Sequence, residues 1–315
     1  MHTRSLHGKQ LQSNNKRNWS GELKHIIKLE CVGVFVAATK GIIWSYANGA
    51  LACYSLKLED KLNVSIQVES LFSLDSILSS SAIAKKITIV TKNSFLYTFT
   101  LDEERGVIEK KLELQLPDGH LKSFYPSSIG DEIYVLESHG FYTQRLVNNV
   151  CEQGVDLYQG QISELFLKFP FETLGHMVML VNKQRIILIK QNQIVEDVVL
   201  KDPLPDVYSS VYFKSTLYFG TVNGLFSITM NGREIGEQVE AVKITALEGD
   251  GRVLSYVDFI IHDGIIIALC TCNDNPFFNG LYISNTGGDD DNGFTLTRVE
   301  GTRLIGSGDT IFIVQ

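Results

Sequence analysis

The sequence predicts an all-β protein built from a repeated antiparallel unit, and three observations carry that prediction. Short runs rich in Val, Ile, Phe, Tyr and Thr alternate with clusters of Gly, Asn, Asp and Ser, and little of the chain has an apolar period of 3.6 residues. One hairpin pattern recurs along the chain. The spacing of its copies is close to constant, which is the signature of a repeat architecture.

The clearest copy of the hairpin is "LYFGTVNGLFSIT", residues 217–229, in which two apolar runs flank an Asn-Gly pair. Asn-Gly favours a tight hairpin because both residues tolerate positive φ. The second turn residues of the six copies are Gly49, Ser94, Gly140, Gln184, Gly224 and Gly280. Successive copies are therefore 45, 46, 44, 40 and 56 residues apart, a period near 45 with one insertion.

Each hairpin lies between two further strand-like runs. An apolar run such as "VYSSVYF" (207–213) precedes it, and a polar alternating run such as "EKKLELQL" (109–116) follows it. This gives four strands per repeat. Four-stranded antiparallel sheets that repeat every 40 to 50 residues are typical of the blades of a β-propeller.

The two ends of the chain suggest how the ring is completed. Residues 302–308 and 310–315 predict the first two strands of a seventh blade, and residues 22–30, "ELKHIIKLE", predict a strand at the other end. A half-blade would expose an unpaired edge, so we expect the N- and C-terminal strands to pair. The sequence thus predicts a seven-bladed β-propeller of four-stranded antiparallel blades, forming one domain over residues 20–315.

Two alternatives to this closed ring remain. In the first, the chain is a fragment of a longer protein that supplies the rest of the last blade. In the second, the chain forms two β-sandwiches. A pair of sandwiches would break the regular spacing of the six hairpins.

Residues 1–19 precede the first predicted strand and are polar, with four basic residues before the first acid, Glu22. We predict that this segment is a disordered basic tail. A basic docking arm and a targeting signal are the alternatives. The segment lacks the apolar middle region of a secretory signal.

Composition excludes several classes of protein. The formal net charge is −8, which disfavours a general nucleic-acid-binding surface, and no apolar run has the roughly 18 residues that a membrane span requires. Five scattered cysteines predict free thiols in a reducing compartment, and therefore a cytoplasmic or nuclear location.

Over residues 20–315 this arrangement resembles the WD-repeat-like β-propellers in architecture. The Gly-His and Trp-Asp signatures of that repeat do not appear in register, since neither Gly119-His120 nor Gly175-His176 is followed by Trp-Asp at the right distance. The chain looks like the divergent propellers near the N-termini of large subunits of multi-subunit assemblies. This resemblance implies a rigid interaction scaffold within an intracellular complex, with other protein subunits as partners.

Motifs that are typical of catalytic sites are not evident in the sequence. The seven histidines have no repeating position, and no nucleophile elbow, phosphate-binding loop or zinc-protease motif occurs. Cys270 and Cys272 have no nearby pair at zinc-ligand spacing. We therefore predict no catalytic, cofactor-binding or metal site and a protein that is not an enzyme. The alternative is a propeller enzyme or small-ligand-binding protein that uses the central channel.

The longest of the six hairpin loops, "CNDNPFFNG" (272–280), is the first candidate for a partner site. It carries Phe277 and Phe278 among polar neighbours, and aromatic residues are enriched at interface hot spots. A partner contact is one interpretation. The other is that the two rings fold back on the protein.

A second candidate is the acidic triplet Asp289, Asp290 and Asp291 within "GGDDDNG". The spacing of its neighbours does not fit a helix-loop-helix calcium site. A solvated loop is one interpretation, and attraction of a basic partner is the other.

Overall fold

A computed structural model gives the fold of the chain. It describes residues 8–10, 25–29, 34–39, 41–56, 63–116, 123–126, 132–137, 140–147, 150–162, 165–168, 176–190, 193–230, 232–244, 253–262, 265–272, 274–284, 294–297, 301, 303–307 and 310–314.

Strands from the first half of the chain form three four-stranded antiparallel blades. Two early strands, β1 (Gly8–Gln10) and β2 (His25–Leu29), belong instead to a terminal sheet. The first blade contains β3 (Val34–Ala38), β4 (Ile42–Ala47), β5 (Ala50–Ser55) and β6 (Asn63–Gln67). The second contains β7 (Ile77–Ile83), β8 (Lys86–Thr91), β9 (Phe95–Asp102) and β10 (Val107–Gln115). The third contains β11 (Ser123–Pro126), β12 (Glu132–Glu137), β13 (Gly140–Val147) and β14 (Val150–Gln159).

The second half of the chain forms the remaining sheets. The fourth sheet contains β15 (Leu165–Lys168), β16 (His176–Val181), β17 (Arg185–Lys190) and β18 (Gln193–Leu200). The fifth blade contains β19 (Val207–Phe213), β20 (Thr216–Thr221) and β21 (Gly224–Thr229); β22 (Glu237–Val239) then joins the fourth sheet, and β23 (Val242–Ile244) returns to the fifth blade. The sixth blade contains β24 (Ser255–His262), β25 (Ile265–Thr271), β26 (Gly280–Ser284) and β27 (Phe294–Thr297). The terminal sheet ends the chain with β28 (Arg303–Ser307) and β29 (Thr310–Val314).

The fold is therefore an all-β propeller of four-stranded antiparallel blades, as the hairpin spacing predicts. The prediction of seven four-stranded antiparallel blades is wrong, because only five of the sheets within the described residues follow that plan. The fourth sheet has five strands, since the connection from β21 extends far enough to place β22 parallel to β18. The terminal sheet joins both chain ends, and its central pair, β2 and β29, is also parallel.

The first strands of successive sheets lie next to one another and are therefore the innermost strands. β3 contacts β7 and β7 contacts β11, while β15, β19, β24 and β28 form a second series of neighbours. Side chains reinforce these junctions: Ser80 Oγ donates to Val36 O at 2.9 Å, and Asp258 Oδ2 accepts from Leu304 N at 3.0 Å.

Apolar cores fill the spaces between neighbouring sheets. One cluster joins the first two blades and includes the buried Trp44 and Phe99. Another joins the fourth sheet to the fifth blade, and a third packs Leu304 and Ile313 of the terminal sheet against Ile267 of the sixth blade. Burial of aliphatic and aromatic side chains between sheets is the main stabilising contribution in such a fold.

The hairpin turns follow the predicted chemistry in the first blade, whereas Gly140, Gly224 and Gly280 belong to strands and not to turns. In the first blade Asn48 and Gly49 both have positive φ, 51° and 75°. In the fifth blade the turn residues are Val222 and Asn223, while Gly224 already belongs to β21. There Thr221 Oγ1 accepts from Asn223 N at 3.1 Å and donates to Gly224 O at 2.8 Å, which stabilises the turn.

Most of the predicted tail, residues 1–19, lies outside the described residues, apart from β1, which pairs antiparallel with β2. No helix long and apolar enough to cross a membrane occurs in the part of the chain that the structure describes.

Candidate interaction face

One end of the propeller carries both the hairpin turns and the beginnings of the innermost strands. Ile77 pairs with Thr91 in the second blade, and Ser255 pairs with Thr271 in the sixth. In each case the paired residue lies next to the turn between the second and third strands. We call this end of the blades the hairpin face.

The extended loop of the sixth blade lies on the hairpin face and contains a short 3-10 turn, Pro276–Phe278. Asn275 Oδ1 accepts from Phe277 N at 3.0 Å. At the other end of the loop, Asn279 Oδ1 accepts from Cys272 N at 2.8 Å. The two asparagines therefore fix the loop backbone at both ends.

Phe277 and Phe278 have different environments within this turn. Phe278 is half-buried and packs against the core between the fifth and sixth blades, and its carbonyl accepts from Tyr282 Oη at 2.7 Å. The Phe277 ring meets the Phe278 ring edge-on, with centroids 5.6 Å apart, yet 57% of Phe277 is exposed. The Phe278 ring therefore packs against the protein and more than half of Phe277 is exposed, while a partner contact at this loop stays a prediction.

Two further exposed side chains lie at β-bulges near the start of innermost strands. The pairing of β7 shifts between Ile77 and Ser79, so that Leu78 is the extra residue, and β19 shifts in the same way around Tyr208. A bulge inserts one residue and turns a side chain away from its regular direction. Leu78 is 40% exposed and Tyr208 is 47% exposed.

The hairpin face carries half of the exposed large apolar side chains. Ten such side chains occur among the described residues, and five lie on this face: Val34, Leu78, Tyr208, Val253 and Phe277. The others lie on outer strands or near the connection to β22: Val107, Ile194, Val195, Ile235 and Val242.

Charge on the hairpin face is mainly acidic. Four exposed acids on this face make no ion pair within the described part of the chain: Glu69, Asp75, Asp202 and Asp274. Two of its lysines are paired, since Lys183 Nζ lies 2.6 Å from Asp206 and Lys201 Nζ lies 3.7 Å from Glu240. Lys92 in the hairpin turn of the second blade and Lys243 beside Gly224 are exposed.

The acidic triplet Asp289, Asp290 and Asp291 lies outside the described residues. Its described neighbours, Ser284 and Phe294, pair at the end of β26 that is opposite Gly280 and the Phe277 loop.

Buried titratable groups give no sign of activation. Burial raises the pKa of the Cys53 thiol to about 12 and the pKa of Cys270 well above its ordinary value, so both thiols stay protonated. Cys53, Cys270 and Cys272 are free thiols. No group of three potential metal-ligating side chains occurs within the described ranges.

The bulged side chains were missed in the sequence, although a signal for them exists. Residues 77–80, "ILSS", match residues 207–210, "VYSS", in the corresponding strand of another blade. A repeated large residue before a pair of serines marks the bulge. The exposed acids carry no comparable pattern.

Comparison with known proteins supports the fold. No family model matches the sequence, and no curated protein does either. The structure is similar to Hsv2 from Kluyveromyces lactis, with a TM-score of 0.57 and 12% sequence identity over 88% of each chain. It is also similar to Hsv2 from Kluyveromyces marxianus, with a TM-score of 0.54 and 12% identity over 87% of this chain and 84% of that one.

These comparisons confirm the resemblance to WD-repeat-like propellers at the level of architecture. At 12% identity the likeness concerns the fold alone.

Proposed function

We propose that this chain is a non-catalytic scaffold subunit that binds other proteins within a larger intracellular complex. The observation that carries the proposal is Phe277, an aromatic side chain held exposed on a turn whose backbone is fixed by Asn275 and Asn279. A fixed loop loses little conformational entropy on binding, and a partly exposed aromatic ring gains free energy when a partner covers it.

The propeller supports this role because its blades have packed cores and leave the loops and edges for recognition. Exposed apolar side chains gathered on one surface are typical of protein interaction sites. The hairpin face meets this description better than an enzyme site, for which converging polar groups would be expected.

Affinity capture from extracts of the native cells tests the proposal. We expect the wild-type chain to recover at least one protein in stoichiometric amount. Phe277→Ala should reduce that recovery by tenfold or more if Phe277 is a hot spot, because hot-spot truncations cost about 2 kcal/mol or more.

Ile235→Ala is the matched control, since Ile235 is 80% exposed but lies near β22 and away from the hairpin face. This variant should recover the partner as the wild type does. A chain that recovers no stoichiometric protein under mild conditions contradicts the scaffold function.

We also infer that the fourth sheet, the terminal sheet and the five regular blades form one closed ring. Apolar packing of the fourth sheet against the fifth blade, and of the sixth blade against the terminal sheet, supports this inference. Limited proteolysis tests it. A closed ring resists cleavage between sheets, whereas release of stable half-molecules indicates two separate domains.

A further inference from the structure

We propose that the hairpin face binds a basic partner segment that carries apolar anchor residues and lies across the mouth of the central channel. This proposal rests on the proposed scaffold function and names the surface and the kind of partner. Three properties of the described residues support it: the position of the exposed apolar side chains, the unpaired acids and the rigidity of the Phe277 loop.

The apolar anchors lie where the innermost strands begin. Leu78 and Tyr208 occupy equivalent bulges in β7 and β19, on two different blades. Val253 precedes β24, whose first residue pairs with Thr271 just before the Phe277 loop. These side chains therefore lie near the starts of the innermost strands of three different blades, which suits an elongated segment with several apolar residues.

Acidic residues lie close in sequence to two of the exposed apolar residues and favour a partner of opposite charge. Asp75 lies three residues before Leu78, and Asp274 lies three residues before Phe277. Neither makes an ion pair with a described residue. Lys or Arg side chains on a partner can pair with these carboxylates, which favours a basic segment and raises its association rate.

At the opposite end of the second blade Lys85 Nζ lies 2.6 Å from Glu103, and Arg105 forms an ion pair with Glu109 at 3.4 Å. Ion pairs within the chain therefore occupy part of the charge at that end, whereas Asp75 and Asp274 on the hairpin face make no ion pair with a described residue.

Selection of phage-displayed random 12-residue peptides on the purified chain tests this proposal. We expect enriched peptides to combine Lys or Arg with aliphatic or aromatic residues. Their affinity, measured by fluorescence anisotropy, should fall as salt rises, because the acids contribute through screened charge interactions.

Variants locate the binding surface. We expect Tyr208→Ser, and separately the double change Asp75→Asn with Asp274→Asn, to weaken an enriched peptide at least tenfold. Ile194→Ser, an exposed change on β18, should alter the affinity less than twofold. Circular dichroism of each variant confirms that the fold is retained.

Four outcomes overturn the proposal: no enrichment, enrichment of acidic or uncharged peptides, binding that survives both hairpin-face variants, or self-association in sedimentation that Tyr208→Ser abolishes. The last outcome would identify a second copy of this chain as the occupant. If affinity capture still recovers a partner in these cases, the scaffold function stands and only the surface is wrong. If capture recovers none, the scaffold function itself fails.

Discussion

Gly220 shows how closely neighbouring blades pack at the level of a single residue. A Cβ atom placed on Gly220 of β20 would lie 2.6 Å from Ser209 Oγ, 3.0 Å from Tyr256 Cβ and 3.1 Å from Phe259 Cδ1. These neighbours are all buried. The glycine in "LYFGT" is therefore required by the junction between the fifth and sixth blades.

Gly220→Ala should lower the free energy of unfolding by about 1–3 kcal/mol, because overpacking forces buried neighbours to move. Chemical denaturation measures the change. Gly41→Ala is the matched control, since no atom lies within 4 Å of its added Cβ, and it should leave stability within about 0.5 kcal/mol. Equal stability of Gly220→Ala and the wild type would show that this junction is looser than described.

Glu196 is a second residue whose environment determines stability. Its Oε2 atom is buried and has no hydrogen-bond partner, and burial raises the pKa of the carboxyl group. The carboxylate also raises the pKa of Tyr212 on β19, after the larger effect of burial on that phenol. The two side chains therefore face each other between the fourth sheet and the fifth blade.

Glu196→Gln should stabilise the chain at neutral pH relative to the wild type. The raised pKa means that the folded chain holds the proton after the unfolded chain has lost it. The contribution of Glu196 to stability is thus full below the ordinary pKa of about 4.3 and is lost as pH rises through the raised folded value. Thermal denaturation between pH 4 and pH 8 should show the two proteins converging at low pH.

Glu109→Gln is the control for this pH dependence. A hydrogen bond from Lys111 lowers the pKa of Glu109, so its carboxylate favours the folded chain above the ordinary pKa and this contribution is lost as pH falls. At neutral pH Glu196→Gln should therefore be more stable than the wild type, and Glu109→Gln should be less stable. A stability difference for Glu196→Gln that does not change with pH contradicts the buried position of this carboxylate.

At the scale of the strands, Asp197 of β18 binds both Arg185 of β17 and the connection to β22. Arg185 in turn contacts the third sheet. Arg185 donates to Asp197 through Nε at 2.9 Å and through Nη2 at 2.6 Å. The Arg185 guanidinium carbon also lies 5.3 Å from the centre of the Tyr158 ring on β14. Next to β22, Gly236 N donates to Asp197 O at 2.7 Å.

Arg185→Ala should destabilise the chain by about 1–3 kcal/mol, because it leaves the Asp197 carboxylate, which is only 5% exposed, without its charged donor. Lys85→Ala removes an ion pair that is about half exposed on both sides and should cost less than about 1 kcal/mol. Equal effects of the two changes in urea denaturation would mean that water replaces Arg185 at Asp197.

The elements also show what the sequence could and could not predict. The strands and hairpins were predictable because β-branched runs favour strands, and Asn-Gly pairs favour turns, through local backbone preferences. The path of β22 was not, since "EQV" carries no pattern that distinguishes pairing with β18 from pairing with β21. The bulges at Leu78 and Tyr208 depend on strand register, and only the comparison of "ILSS" with "VYSS" in another blade gives a sequence signal for them.

At the scale of the whole molecule, the period of about 45 residues predicted the propeller correctly, because each repeat forms one sheet that can bury its faces only against neighbouring sheets. The pairing of the N- and C-terminal strands was also predicted, and β2 does pair with β29, although in parallel. The parallel pair of β18 with β22, which joins segments distant in sequence, was not predicted.

The partner site at the sixth hairpin stays a prediction. The unusual length of the sixth hairpin pointed to Phe277 and Phe278, but composition could not show that one ring is exposed and the other half-buried. That difference arises from the two asparagines and from Tyr282, which fix the direction of the turn.

The central claim is that a protein partner binds the hairpin face, and lysine-reactive cross-linking of the captured assembly tests it most directly. Four lysines of the described residues lie on or beside the hairpin face: Lys92, Lys183, Lys201 and Lys243. Four others of the described residues lie at the opposite end of the blades: Lys85, Lys86, Lys190 and Lys214. We expect the links to the partner to fall on the first set; links confined to the second set, or none from either set in an assembly that otherwise cross-links, would contradict the account.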